Sequence, residues 1–283
     1  MTGGTVHSSY QSLSTRETLL SFQADEILDG SIDDVVKRLK QVDATYPDEI
    51  LNRVTEIISD QDRAEVVRAE AAMALGRCST SSCRSTLKSL LSNEIPTLRR
   101  LAVTGLGADQ ADETIHWLIQ MLADPVNKVR NDAERALMKR ERQMASIGVE
   151  ALLAMLNHPV ALTRSPAARL LGQSKDDRAL QPLLKMIESE EWLERMWAAK
   201  SLGDLGKAAS IPVLTEKVKT DEKNRVRAAA ADALGALRPE GIEELLKEIA
   251  ENDEDEGVRK SAHEAVLSLG FDAEDAEFDP FAE

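Results

Sequence analysis

The sequence predicts an all-α fold, an α-solenoid of about seven two-helix repeats with N-terminal capping helices. Three observations carry that prediction. A ten-residue segment, VRAEAAMALG from Val67, returns in altered form at Leu98, Val129, Thr163, Glu194, Val226 and Val258. Its arginines (Arg68, Arg99, Arg130, Arg164, Arg195, Arg227 and Arg259) are spaced 31, 31, 34, 31, 32 and 32 residues, the signature of stacked supersecondary units. The composition agrees: 42% of the 283 residues are hydrophobic but only 3% aromatic, and an Ala/Leu-rich interior suits helices better than sheets.

Before the first strong repeat, Thr15 to about Leu28 and Ile32 to about Val42 read as two less regular helices. Ser14 and Thr15 supply a start signal for the first, and both are expected to cover the apolar end of the repeat array. The expected division is a flexible arm over 1–13, capping helices over 14–46, the repeats over 47–270 and an acidic disordered tail over 271–283.

Within each repeat, the residue three after the Arg is Ala in all seven copies, from Ala71 to Ala262, and the residue seven after it is Leu or Val. Offsets 0, +3, +4 and +7 form one face of a helix, so this is the expected buried stripe. Gly at +8 (Gly76, Gly107, Gly172, Gly203 and Gly235) is expected to loosen or end the helix. A second apolar helix precedes each Arg, as in IHWLIQMLA from Ile115 and LQPLLKMIES from Leu180. Six residues before the Arg stand Asp62, Asn93, Asp124, His158, Ser189, Asp221 and Asp253. Most of these are expected to cap the Arg-bearing helix and to accept from the Arg ladder. The third repeat lacks the Gly and runs on as MKRERQMAS. Two readings stay open there: a second helix longer by a turn, or a bend that puts Lys139, Arg140 and Arg142 at a groove edge.

These residues resemble HEAT repeats of the phycobilisome-lyase type, an armadillo-like superhelix, on the Asp-to-Val-Arg turn, the Ala-Ala-x-Ala-Leu-Gly helix and Pro182 and Pro212 in first helices. The resemblance implies the fold over about residues 47–270. It also implies two enzymatic alternatives: a bilin lyase or chaperone-like relative acting on phycobiliproteins, and a di-iron hydroxylase like the deoxyhypusine hydroxylases, which hold iron with several His-Glu pairs. Only one such pair, His263-Glu264, is present among four histidines. The ligand count therefore points to no metal, and His263, at +4, is expected to be packed inside. Cys78 and Cys83 flank the segment CSTSSC and are two ligands short of a zinc site. No cofactor is expected, and no phosphate-binding or nucleophile-elbow motif occurs.

The expected function is a non-enzymatic, cytoplasmic scaffold or adaptor that binds a protein segment along its concave face. Offsets +1, +2, +5 and +9 are expected to point outward, and they place Arg100, Arg135, Lys139, Arg169, Met196, Trp197 and Lys200 on a basic strip with an apolar anchor. An acidic or amphipathic partner segment fits that strip. With 50 Asp+Glu against 35 Lys+Arg and a net charge of −15, the chain as a whole points away from nucleic acid and anionic membrane. Twelve of the acids lie after residue 250, so the body is near balance. The tail, with Phe271, Phe278 and Phe281 among acids, offers either a free solubilising segment or an intramolecular occupant of the strip. No run of apolar residues is long enough to span a bilayer.

Overall fold

Helices built by that 3.6-residue pattern account for the observed architecture. The structure, a computed structural model, describes residues 30–46 and 48–270. The expected helix Thr15–Leu28, the arm and the acidic tail with its proposed docking lie outside the described residues. Among those described there is no strand, and no helix is long and apolar enough to cross a membrane. The fold class is an α-solenoid of two-helix repeats.

The chain divides into two compact units, Met1–Gln110 and Ala111–Glu283. In the first, the helix Ile32–Leu39 starts at Ser31, whose hydroxyl accepts from the Asp34 amide while Asp34 reciprocates, a capping box. Its Val35 and Leu39 are buried, and it packs on Glu65–Cys78. It ends three residues earlier than the expected Val42. Two repeats follow, with first helices Asp48–Ser59 and Ser81–Leu90 and second helices Glu65–Cys78 and Pro96–Ala108.

The second unit holds five repeats. Their second helices are Asn127–Met138, Ala161–Ser174, Trp192–Leu205, Asn224–Leu237 and Glu256–Gly270. The last four pack serially, each on the next. The Ala column does what the pattern promises: Ala133, Ala167, Ala198, Ala230 and Ala262 are fully buried.

The glycines do something else. Gly172, Gly203 and Gly235 sit inside their helices, not at the ends. A Cβ on Gly203 would lie 2.7 Å from the Cβ of Ala233, and one on Gly235 would lie 2.7 Å from that of Ala265. The +8 column is thus where neighbouring second helices touch. Helix ends are set at +11 instead, by left-handed residues at Ser79 (φ 53), Lys175 (φ 58), Gly206 (φ 75) and Arg238 (φ 48). Three of those four are not Gly, so the terminator carried no residue-type signal.

The expected caps also need correction. In Pro96–Ala108, Asn127–Met138, Ala161–Ser174, Trp192–Leu205 and Asn224–Leu237 the N-cap side chain makes no cap bond. The acceptor six before the Arg closes a local turn instead. Asn93, Asp124, His158, Ser189, Asp221 and Asp253 each accept the amide two residues on. In the first repeat Asp60, not Asp62, plays that part.

Arg residues lock the same turns. Arg99, Arg130, Arg164, Arg195, Arg227 and Arg259 each donate Nη1 to the carbonyl six residues back, at 2.7–3.0 Å. Arg68 departs, donating Nε to the Ile58 carbonyl at 2.9 Å. From the fourth repeat on, the free edge of the guanidinium reaches the following repeat. Arg164 donates Nε to Glu194 at 2.7 Å. Arg195 grips Asp221 through Nε (2.7 Å) and Nη2 (3.0 Å), and Arg227 grips Asp253 at 2.8 and 2.9 Å.

Repeat three resolves as neither open reading. Its second helix stops at Met138, and Arg140 turns inward, only 5% exposed. It donates to the Ala111 carbonyl at 2.8 Å, Thr114 Oγ1 at 2.5 Å and Gln143 Oε1 at 2.8 Å. A short helix Glu141–Gln143 and a π-helical turn Met144–Gly148 then lead into Val149–Met155, which absorbs the extra residues of the 34-residue spacing.

Candidate functional site

The second helices of repeats three to five supply the candidate site. At +5, Arg135 and Lys200 are exposed and Arg169 is half-buried. At +1 and +2, Met196 and Trp197 are half-buried, not outward, because each second helix is flanked by its neighbours. Lys139 is exposed just past its helix. Arg100 stands in the first unit, where it donates to Glu65 at 3.2 Å.

Arg169 and Lys200 flank the Trp197 ring, the guanidinium carbon 4.9 Å and the ammonium 5.8 Å from its centroid, a doubled cation–π arrangement. The strip is less basic than its sequence. Arg135 pairs with Asp132 at 2.9 Å, and Arg169 donates Nε and Nη2 to Glu134 Oε1. Glu134 is only 5% exposed. It sits at +4, where five other copies carry Ala or Val and the last carries His263, and that break in the column was its only sequence signal.

Beside Trp197 lies a cleft of about 230 Å³, lined among others by Asn131, Glu134, Leu162, Ser165, Pro166 and Arg169. Ser165 is 6% exposed and its hydroxyl has no hydrogen-bond partner among the described residues. A buried polar group left unpaired costs stability. Pro166, inside its helix, has no N–H, so the Leu162 carbonyl lacks its usual i+4 amide. A larger, more open cleft of about 1230 Å³ lies between Val149–Met155 and Leu180–Met186. Its rim carries Glu150, Glu188, Glu190 and Glu194.

His263 is exposed, contrary to the expectation of a packed histidine. Its position, +4, is buried in the earlier copies by the next repeat, and no repeat follows among the described residues. Glu264 is exposed too and pairs with Lys260 at 3.7 Å. Among the described residues no group of three or more His, Cys, Asp or Glu could hold a metal ion. One exposed pair does not fit the several His-Glu pairs of a di-iron centre. Cys78 and Cys83 are buried thiols outside any disulfide, on adjoining helices. The hydrogen bond to Cys83, then burial, pushes the Cys78 thiol up, leaving it protonated and unreactive at neutral pH.

The chain is 28% identical to deoxyhypusine hydroxylase-B of Oryza sativa subsp. japonica, over 74% of this chain and 78% of that one. It is 30% identical to the phycocyanobilin lyase subunit beta of Thermosynechococcus vestitus, over 40% of this chain and 53% of that one. Among solved structures, Kap95p in its work on RanGDP matches with a TM-score of 0.56 at 14% identity, over 91% of this chain and 42% of that one, a likeness of fold. The hydroxylase relatives are enzymes and cover most of the chain, so the expectation of a non-enzymatic scaffold or adaptor does not stand. A family model described as HEAT repeats matches residues 51–138 and 149–235. The chain belongs to the HEAT repeats.

Proposed function

We propose that this chain is an enzyme that modifies a polypeptide, and that one surface of it holds the substrate. The second helices of repeats three to five do the holding, with Arg135, Lys139, Arg169 and Lys200 set toward acidic residues and Met196 and Trp197 toward apolar ones. The observation that carries this reading is the Trp197 ring contacted by two cations beside a small cleft. An aromatic surface that is half-buried and cation-lined suits a chain of mixed acidic and apolar side chains. Two further points support it: relatives along the chain are enzymes, and a HEAT neighbour engages another protein, RanGDP. Lyase subunits among the relatives also favour repeats of the phycobilisome-lyase type.

Among the described residues the donor set does not fit a di-iron centre. What the residues present supply is binding, orientation and partial exclusion of water around Trp197.

A fluorescein-labelled copolymer of glutamate and tyrosine tests the holding surface by fluorescence anisotropy. The triple variant R135E/R169E/K200E is expected to bind at least about tenfold more weakly, with helix content unchanged by circular dichroism. Equal affinity removes the surface from the reading. Mass spectrometry of host proteins tests the enzymatic half. A side-chain modification lost on deletion of the chain should return with the wild type and not with the triple variant. An unchanged modification profile overturns it.

A further inference from the structure

The cleft beside Trp197 is lined by both signs of charge, and its polar atoms select a ligand more narrowly than the basic strip does. At about 230 Å³ it falls below the roughly 300–1,000 Å³ typical of drug-sized ligand sites, so it admits a single side chain. Its apolar walls are Leu162, Pro166, Leu193 and Trp197. Ser165 Oγ, in a residue 94% buried, has neither donor nor acceptor partner among the described residues. Glu134 takes both Arg169 contacts on Oε1, which leaves Oε2 as an acceptor. The Leu162 carbonyl, deprived of its amide by Pro166, is a second acceptor. Arg130 and Arg169 also line the cleft.

A carboxylate entering here faces Glu134, and an ammonium or guanidinium faces Arg130 and Arg169. Like charges brought together out of water repel strongly. A neutral carboxamide carries no like charge to either set: its NH2 can donate to Glu134 or Leu162, and its carbonyl can accept from Ser165. We infer that this cleft is a specificity pocket for an asparagine or glutamine side chain of the polypeptide substrate. The inference rests on the proposal that the substrate is a polypeptide, and it goes beyond it by naming the residue class.

The test uses the full chain labelled with 15N at its tryptophans, the Trp197 indole signal being assigned with Trp197→Phe. Three probes are titrated to about 50 mM, a range suited to weak single-residue binding: the N-acetyl methylamides of glutamine, glutamate and lysine. All three share the same two backbone amides, so only the side chain differs. The glutamine probe is expected to move the Trp197 signal saturably, and the other two to move it at least about fivefold less at the same concentration. Ser165→Ala is expected to weaken the glutamine probe by about fivefold. Because it removes a buried, unpaired hydroxyl, it should leave the melting temperature equal or higher. Equal shifts from glutamate or lysine, no shift from any probe, or an unaltered response in Ser165→Ala overturns the pocket. Copolymer binding that survives alongside a silent Trp197 signal removes the pocket alone. A saturable glutamine response without copolymer binding keeps the pocket and removes the acidic-segment reading.

Discussion

Arginines do opposite jobs in two regions of the second unit. In repeats five to seven, Arg195 and Arg227 are buried, each held by backbone carbonyl oxygen of its own turn and by a bidentate carboxylate from the next repeat. In repeats three to five, Arg135 and Arg169 stand five residues further along the same kind of helix, with one carboxylate each and an open side. The difference teaches that residue type says little about role here. Position relative to the next repeat decides whether a guanidinium clamps the stack or faces a ligand. A clamp must be fully paired, because a buried charge without a partner is costly. A binding cation must keep unspent valence, which Arg169 does by lying on Trp197.

The sharpest way to break the comparison is Asp221→Ala. It leaves buried Arg195 with its backbone partners and the exposed Glu222 at 3.5 Å, and the expected loss is about 3 kcal/mol of stability, read as a lower midpoint in urea. A loss below about 0.5 kcal/mol would place the clamp among ordinary surface pairs.

Acid should act on the same region. Burial pushes the Asp221 carboxyl up, but its bonds from Arg195 and the Lys223 amide outweigh that and hold it below its ordinary value. Asp253 behaves alike with Arg227 and the Asp255 amide. A carboxyl lowered on folding contributes stability that is fully present above its unfolded value, about pH 4, and is lost as pH falls through the native value. Melting temperatures should therefore hold from neutral pH down to about pH 4 and drop below it. The drop should be shallower in Asp221→Asn/Asp253→Asn, and identical acid profiles would show that the clamps are not the titrating groups.

Arg135→Ala gives the smallest effect. With an exposed guanidinium and one i,i+3 partner, it should change stability by about 0.3 kcal/mol or less. A loss as large as that of Asp221→Ala would erase the distinction between the two regions.

Reading the sequence located much of this. The arginine column, the Ala column and the two-helix repeat all appear in the structure, because helical periodicity and burial are written into residue spacing. The candidate strip was legible through its +5 positions, but its charge was overstated. Asp132 and Glu134, which neutralise much of it, lie in other columns. Ser165 looked outward by its offset and is buried, because the offset ignores the flanking helix. Pro166, at +2 of the fourth copy, drew no reading from the sequence; only the structure puts Leu162 and Trp197 beside it. His263 was placed inside by register and lies outside, for want of a following repeat to cover it.

What the sequence by itself determined is the helix-and-repeat plan, since each repeat encodes the same local pattern and that pattern needs only nearest neighbours in the chain. What only the tertiary structure decided is which groups remain unspent. The +8 glycines as contact points, the Arg195–Asp221 clamp and the unpaired Ser165 hydroxyl all depend on residues some 26 to 35 positions apart meeting across adjacent helices. Hydrogen bonds and steric contacts act over a few ångströms, so spacing along one helix cannot reveal what the neighbouring helix brings to it.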